Sequence, residues 1–266
     1  MDITVLLSSA LVIATVVGAV LLGVYIALRV KKTGFSALCV KTGLSALFIA
    51  TALIASALIA FDVAAARGLR NEYVPFGKGS VLLIACVLFG LVCGLIGDIV
   101  LDLKDMHEDH KERYMFMGFA SFFVGHVAFI AGLFAYYGIN WKRVLLAAGI
   151  SAAVAAIVYA TEKLMHMRYG RFKKIVVAYC FALTFFVALS LLTAFANFVP
   201  GDRLWFFKTP ALMLGIGGTL FLFSDLVLSG TYFGGKTRPI DYVMNYILYY
   251  GAQFTIAWSL VTLIDS

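Results

Sequence analysis

Two carboxylates stand inside strongly apolar sequence. Asp98 closes the stretch Gly-Leu-Ile-Gly-Asp, and Asp225 closes the stretch Leu-Phe-Ser-Asp. A carboxylate in hydrocarbon is costly, so each must face the protein interior, and each is a candidate functional residue. Further polar side chains punctuate the apolar runs: Asp102, His126, Tyr179, Ser224, Asn245 and Gln253, with Lys41 opening the second run. At about 1.5 Å per helical residue, Asp98 lies roughly 8 Å, and Asp225 roughly 9 Å, from the end of its run. The two therefore fall in one depth band. Paired carboxylates in unlike surroundings can divide the work of proton donor and base.

The elements that must position these groups are membrane helices. The chain has 266 residues, 63% hydrophobic and 13% charged, against roughly 25% charged in soluble domains. The apolar runs are continuous rather than alternating, which excludes a β-barrel. Eight runs of helix length are predicted, at 3–28, 38–61, 80–103, 114–138, 144–162, 174–199, 209–231 and 240–263. Each is near the roughly 20 residues needed to cross the hydrocarbon layer. The expected fold is all-α: a single transmembrane domain over residues 1–266, an eight-transmembrane-helix bundle. The first run follows Asp2 with no basic leader and reads as a span rather than a secretory signal.

The net charge of +7 does not imply a nucleic-acid partner, because Lys and Arg sit in short loops between runs. Fourteen fall on the side of the loops after runs one, three, five and seven, and seven on the other. The richer side is expected to be cytoplasmic. The predicted location is the plasma membrane, with the mouth of the site toward the cytoplasm.

Several residues have plainer readings. Asp102 reads as an interfacial residue at a helix end. His126, Asn245 and Gln253 also suit interhelical hydrogen bonding, and Lys41 suits either pairing with an aspartate or snorkelling to the interface. His107, Glu108, Asp109 and His110 are consecutive and unenclosed, so they read as a solvated turn rather than a metal site. The four cysteines read as packing residues. Gly90-x-x-x-Gly94 and Gly215–Gly218 precede the two aspartates and would let helices approach closely.

The order of motifs carries a resemblance. Gly97-Asp98 is followed by Phe116-Met-Gly118-Phe-Ala-Ser-Phe122-Phe-Val-Gly125-His126, then by Leu220-Phe221-x-x-Ser224-Asp225, then by Tyr249-Tyr250-x-x-Gln253. This series resembles the YhhN family of membrane lysoplasmalogenases, from the second run to the eighth. Lys41 is followed by Thr42 where the family often has proline. The resemblance implies a lysophospholipid substrate in the bilayer and cleavage of its vinyl ether to a fatty aldehyde and a glycerophospho-headgroup, without a cofactor. Asp98, Asp225 and His126 would then be catalytic. Lys41, Ser224, Tyr179, Tyr250 and Gln253 would bind substrate, with Lys41 toward the phosphate and Ser224, Tyr250 and Gln253 orienting water or the glycerol oxygen. Two other chemistries use the same residues. One is a metal-dependent lipid hydrolase ligated by Asp98, His126 and Asp225. The other is a proton-coupled lipid or solute transporter, with Gly-Asp and Ser-Asp four helices apart.

Overall fold

The computed structural model describes residues 3–30, 34–70, 77–104, 106–164, 167–201, 209–235 and 238–263. Lys31, Lys32, Arg203, Lys208 and Lys236, which enter the charge count, lie outside the described residues, and of Arg67, Arg70 and Lys163 only the backbone is described. The described chain is all helical, with no strand. Eight helices follow in order: α1 (Ile3–Val30), α2 (Gly34–Arg70), α3 (Lys78–Leu103), α4 (Lys111–Tyr137), α5 (Trp141–Leu164), α6 (Lys173–Ala196), α7 (Pro210–Phe233) and α8 (Pro239–Trp258). They coincide with the eight apolar runs. The largest difference is α2, which continues beyond 61 to Arg70. Its extension begins Asp-Val-Ala-Ala-Ala-Arg, and alanine and arginine favour helix.

α1 to α7 are each long and apolar enough to cross a membrane, which marks an integral membrane protein. α8 does not meet that standard. It spans 20 residues, enough in length, but it carries Asp241, Asn245 and Gln253 with four tyrosines. Its inward face is built for a polar interior.

Sequence neighbours pair as α1–α2, α3–α4, α5–α6 and α7–α8, while α8 also packs on α1, α2 and α3. Small residues set the closest approaches. Gly118, Gly125 and Gly132 recur at seven-residue spacing along α4, and a Cβ on Gly125 would lie 3.1 Å from the carbonyl oxygen of Gly90 on α3. On α7, a Cβ at Gly217 would meet the carbonyl oxygen of Ala252 on α8 at 3.0 Å, while one at Gly218 would press into Phe186 of α6. α7 is thus held between α6 and α8, as the glycine pattern before Asp225 predicts.

Gly217→Leu should lower stability by about 1–3 kcal/mol, because backbone of α8 must move to admit the side chain. Gly149→Leu, where nothing lies within 4 Å, should leave the melting temperature in detergent unchanged. Equal melting of both variants would contradict the close α7–α8 contact.

Candidate active site

Four charged side chains meet between α1, α2 and α3. Lys41 and Ser45 are one helical turn apart on α2, and Asp98 and Asp102 are one turn apart on α3, so each pair shares a face. Lys41 Nζ lies 2.9 Å from Asp102 Oδ1 and 3.4 Å from Asp98 Oδ1, and donates to the Asp98 carbonyl oxygen at 3.3 Å. Arg29 of α1 reaches Asp102 Oδ1 at 3.2 Å and Tyr25 Oη at 3.2 Å. Lys41, Asp98 and Asp102 are 6%, 3% and 4% exposed. Two cations thus answer two carboxylates. Lys41 pairs with both aspartates instead of snorkelling, and Asp102 is a buried member of the cluster rather than the interfacial residue expected.

The second oxygen of Asp98 accepts two hydroxyls, from Ser45 at 2.6 Å and Tyr249 at 2.8 Å. Gln253, one turn further along α8, donates to the Tyr249 hydroxyl at 3.0 Å. Among the described residues, every hydrogen bond and ion pair of the Asp98 carboxylate is therefore with a donor. Asp225 differs. Its Oδ2 accepts from the Tyr179 hydroxyl, and among the described residues no cation stands within ion-pair distance of it. Asp225 is only half-buried.

The two aspartates line one cavity of about 330 Å3. Its wall follows helical spacing. α8 contributes Tyr242, Asn245, Tyr246 and Tyr249; α7 contributes Phe221, Ser224, Asp225 and Leu228, at i, i+3, i+4 and i+7 in both cases. Ser224 is fixed by α8: Asn245 Nδ2 donates to its carbonyl at 2.9 Å and its hydroxyl at 2.8 Å. Arg29, Lys104 and Lys111 add positive charge to the wall, and Lys104 Nζ sits 3.8 Å from the centre of the Tyr232 ring.

Of the residues singled out from sequence, Asp98, Asp225, Lys41 and Ser224 share this cavity. Tyr179 reaches it through its bond to Asp225. His126, Tyr250 and Gln253 do not line it. His126 is caged by Phe129, Tyr179, Phe186 and Phe221. Its Nδ1 donates to the Phe122 carbonyl at 2.7 Å, while Nε2 has no protein partner. Tyr250 packs against Tyr25 and Tyr249, and Gln253 acts through Tyr249. Sequence reasoning passed over Ser45, Arg29 and the structural part played by Asp102. For Ser45 and Asp102 the signal was present as four-residue spacing, Lys41 to Ser45 and Asp98 to Asp102. Among the described residues no three His, Cys, Asp or Glu side chains gather, so Asp98, His126 and Asp225 do not form a ligand set.

Fold and site together define a helical integral membrane protein with two carboxylates in unlike surroundings around a cationic cavity. The model of the YhhN family matches residues 48–260, and the chain belongs to that family. Searches of curated proteins and of solved structures returned no match. Arg29, Lys41 and Ser45 lie before the matched segment, while the two aspartates lie within it.

Lys41→Met should destabilise the protein by about 3–5 kcal/mol, because it leaves buried Asp98 without a cation and Asp102 with Arg29 alone. Adding Asp102→Asn to Lys41→Met should recover part of that loss. A double-mutant cycle on melting in detergent reads the coupling, and strictly additive losses would contradict the cluster.

Proposed function

We propose that this protein is an intramembrane lysoplasmalogenase, with α8 as its eighth span and the cavity open toward the cytoplasm. The observation that carries the reading is the sharing of one cavity by Asp98, held by a lysine and two hydroxyls, and Asp225, held by the Tyr179 hydroxyl. Hydrolysis of a vinyl ether needs that division. Asp225 gives its proton to the β-carbon of the double bond, and the resulting oxocarbenium ion carries its charge next to the ether oxygen. Asp98, held in place by Lys41, Ser45 and Tyr249, faces that charge as an acceptor. It takes a proton from water as the water oxygen adds to the cationic carbon. The hemiacetal then collapses: its hydroxyl proton returns to Asp225, and Asp98 hands its proton to the departing glycerol oxygen. The products are a fatty aldehyde and a glycerophospho-headgroup, and both carboxyls end as they began.

Lys41 is committed to Asp98 and Asp102 and acts here by positioning Asp98. Lys104, Lys111 and Arg29 are the groups on the cavity wall suited to a phosphate. His126 supports Tyr179 and Phe221 from behind, as a positioning residue rather than a reacting one.

Purified protein should release aldehyde from lysoplasmalogen, and turnover in D2O should place one deuterium on the carbon next to the aldehyde. Asp225→Asn and Asp98→Asn should each lower kcat by about 10²–10⁴-fold. Absence of aldehyde, or full activity in either variant, would overturn the proposal.

A further inference from the structure

Asp225 faces a second space. A groove of about 340 Å3 lies between α5, α6 and α7, on the face of α7 adjoining the cationic cavity. Its wall is nearly all hydrocarbon and aromatic, with Val154 and Ile157 of α5, Leu183 of α6 and Leu226 of α7 among its residues. Ile157 and Leu226 are 61% and 55% exposed, so the groove opens sideways, toward where acyl chains of a bilayer would lie. Along α7 it runs from Leu222 to Phe233, roughly 16 Å at 1.5 Å per residue.

Asp225, Leu228 and Tyr232 line both the groove and the cationic cavity. The polar groups at this junction are few. Asp225 is the carboxylate there, Tyr179 holds it from the groove side, and Tyr232 lies under the Lys104 ammonium on the cavity side. An elongated molecule placed across the junction would have a charged end beside Lys104 and Lys111, a reacting centre at Asp225, and an apolar tail between α5 and α7. A single-chain phospholipid has those three parts in that order.

We infer that the α5–α6–α7 groove is the hydrocarbon-chain subsite, which admits a lysophospholipid sideways from the bilayer and sets chain-length selectivity. The inference rests on the proposed hydrolase reading for the identity of the bound lipid, but the groove can be tested without turnover. Ser229 lines the groove and not the cavity, and so does Cys180. Ser229→Phe narrows the groove one helical turn from Asp225 and keeps both carboxylates. Cys180, left as the sole thiol by Cys39→Ala, Cys86→Ala and Cys93→Ala, reports its occupancy by its rate of alkylation.

The experiment uses the full chain in nanodiscs of diacyl phosphatidylcholine. The probe is a saturated 1-O-hexadecyl lysophospholipid, which has no vinyl ether to cleave. It should slow alkylation of Cys180 about tenfold or more, whereas glycerophosphoethanolamine, which lacks the chain, should not. In parallel, Ser229→Phe should erase about tenfold or more of any preference for long over short alkenyl chains in kcat/KM. Protection without aldehyde release would uphold the groove and overturn the hydrolase reading. Aldehyde release with no protection and unchanged chain preference would overturn the groove and leave the hydrolase reading. A thiol already shielded before lysolipid is added, or shielded by the headgroup alone, would also overturn the groove.

Discussion

The fold depends on placing two carboxylates of α3 beside a lysine of α2, all three almost wholly buried. Removing ions from water costs several kcal/mol each, and the loss is offset only where partners are close and well directed. Here Lys41 lies within 3.4 Å of both carboxylates and Arg29 closes the far side. The arrangement fixes the depth of α2 against α3 and brings in α1. A sliding of α2 by one turn would carry Lys41 out of its place between Asp98 and Asp102. Ser45 and Tyr249 complete the same logic, taking up the oxygen of Asp98 that the lysine does not face. Because Tyr249 belongs to α8, the cluster also ties down α8.

α8 is where architecture and chemistry meet. It packs on α1, α2, α3 and α7, and its tyrosine and amide face forms much of the cavity wall. Gly217 lets α7 approach α8 until backbone nearly touches side chain, and Asn245 then binds Ser224, the neighbour of Asp225. The carboxylate of α7 is brought to the cavity by that route rather than by direct pairing with α3. The result is two aspartates that share a space but not an environment. One is surrounded by donors and a cation. The other stands at the border between a charged cavity and a hydrocarbon groove.

Much of this was legible in the sequence. Long apolar runs fix helix positions to within a few residues, since in lipid the backbone must satisfy itself. Intramembrane charges are so costly that Asp98 and Asp225 identify themselves. Direction around the helix is harder to read. His126 and Gln253 are rare polar residues inside apolar runs, yet they, like Tyr250, face neighbouring helices rather than the cavity. In a bundle interior every face has a neighbour, and period alone does not say which neighbour is a void. The reverse error concerns Asp102 and Arg29. Near helix ends, sequence favours the interfacial reading, and only the ion pair across from α1 to α3 shows that they turn inward. The eighth helix is legible by length, while the tyrosines and Asn245 that line the cavity lower its apolar character.

The central claim is that Asp98 and Asp225 act as one catalytic unit, and the most direct test is the kinetic coupling between them. Aldehyde release by the Asp98→Asn/Asp225→Asn double variant should be about as slow as that of the slower single variant, because groups serving the same transition state lose their effect together. Losses that multiply independently would contradict the account.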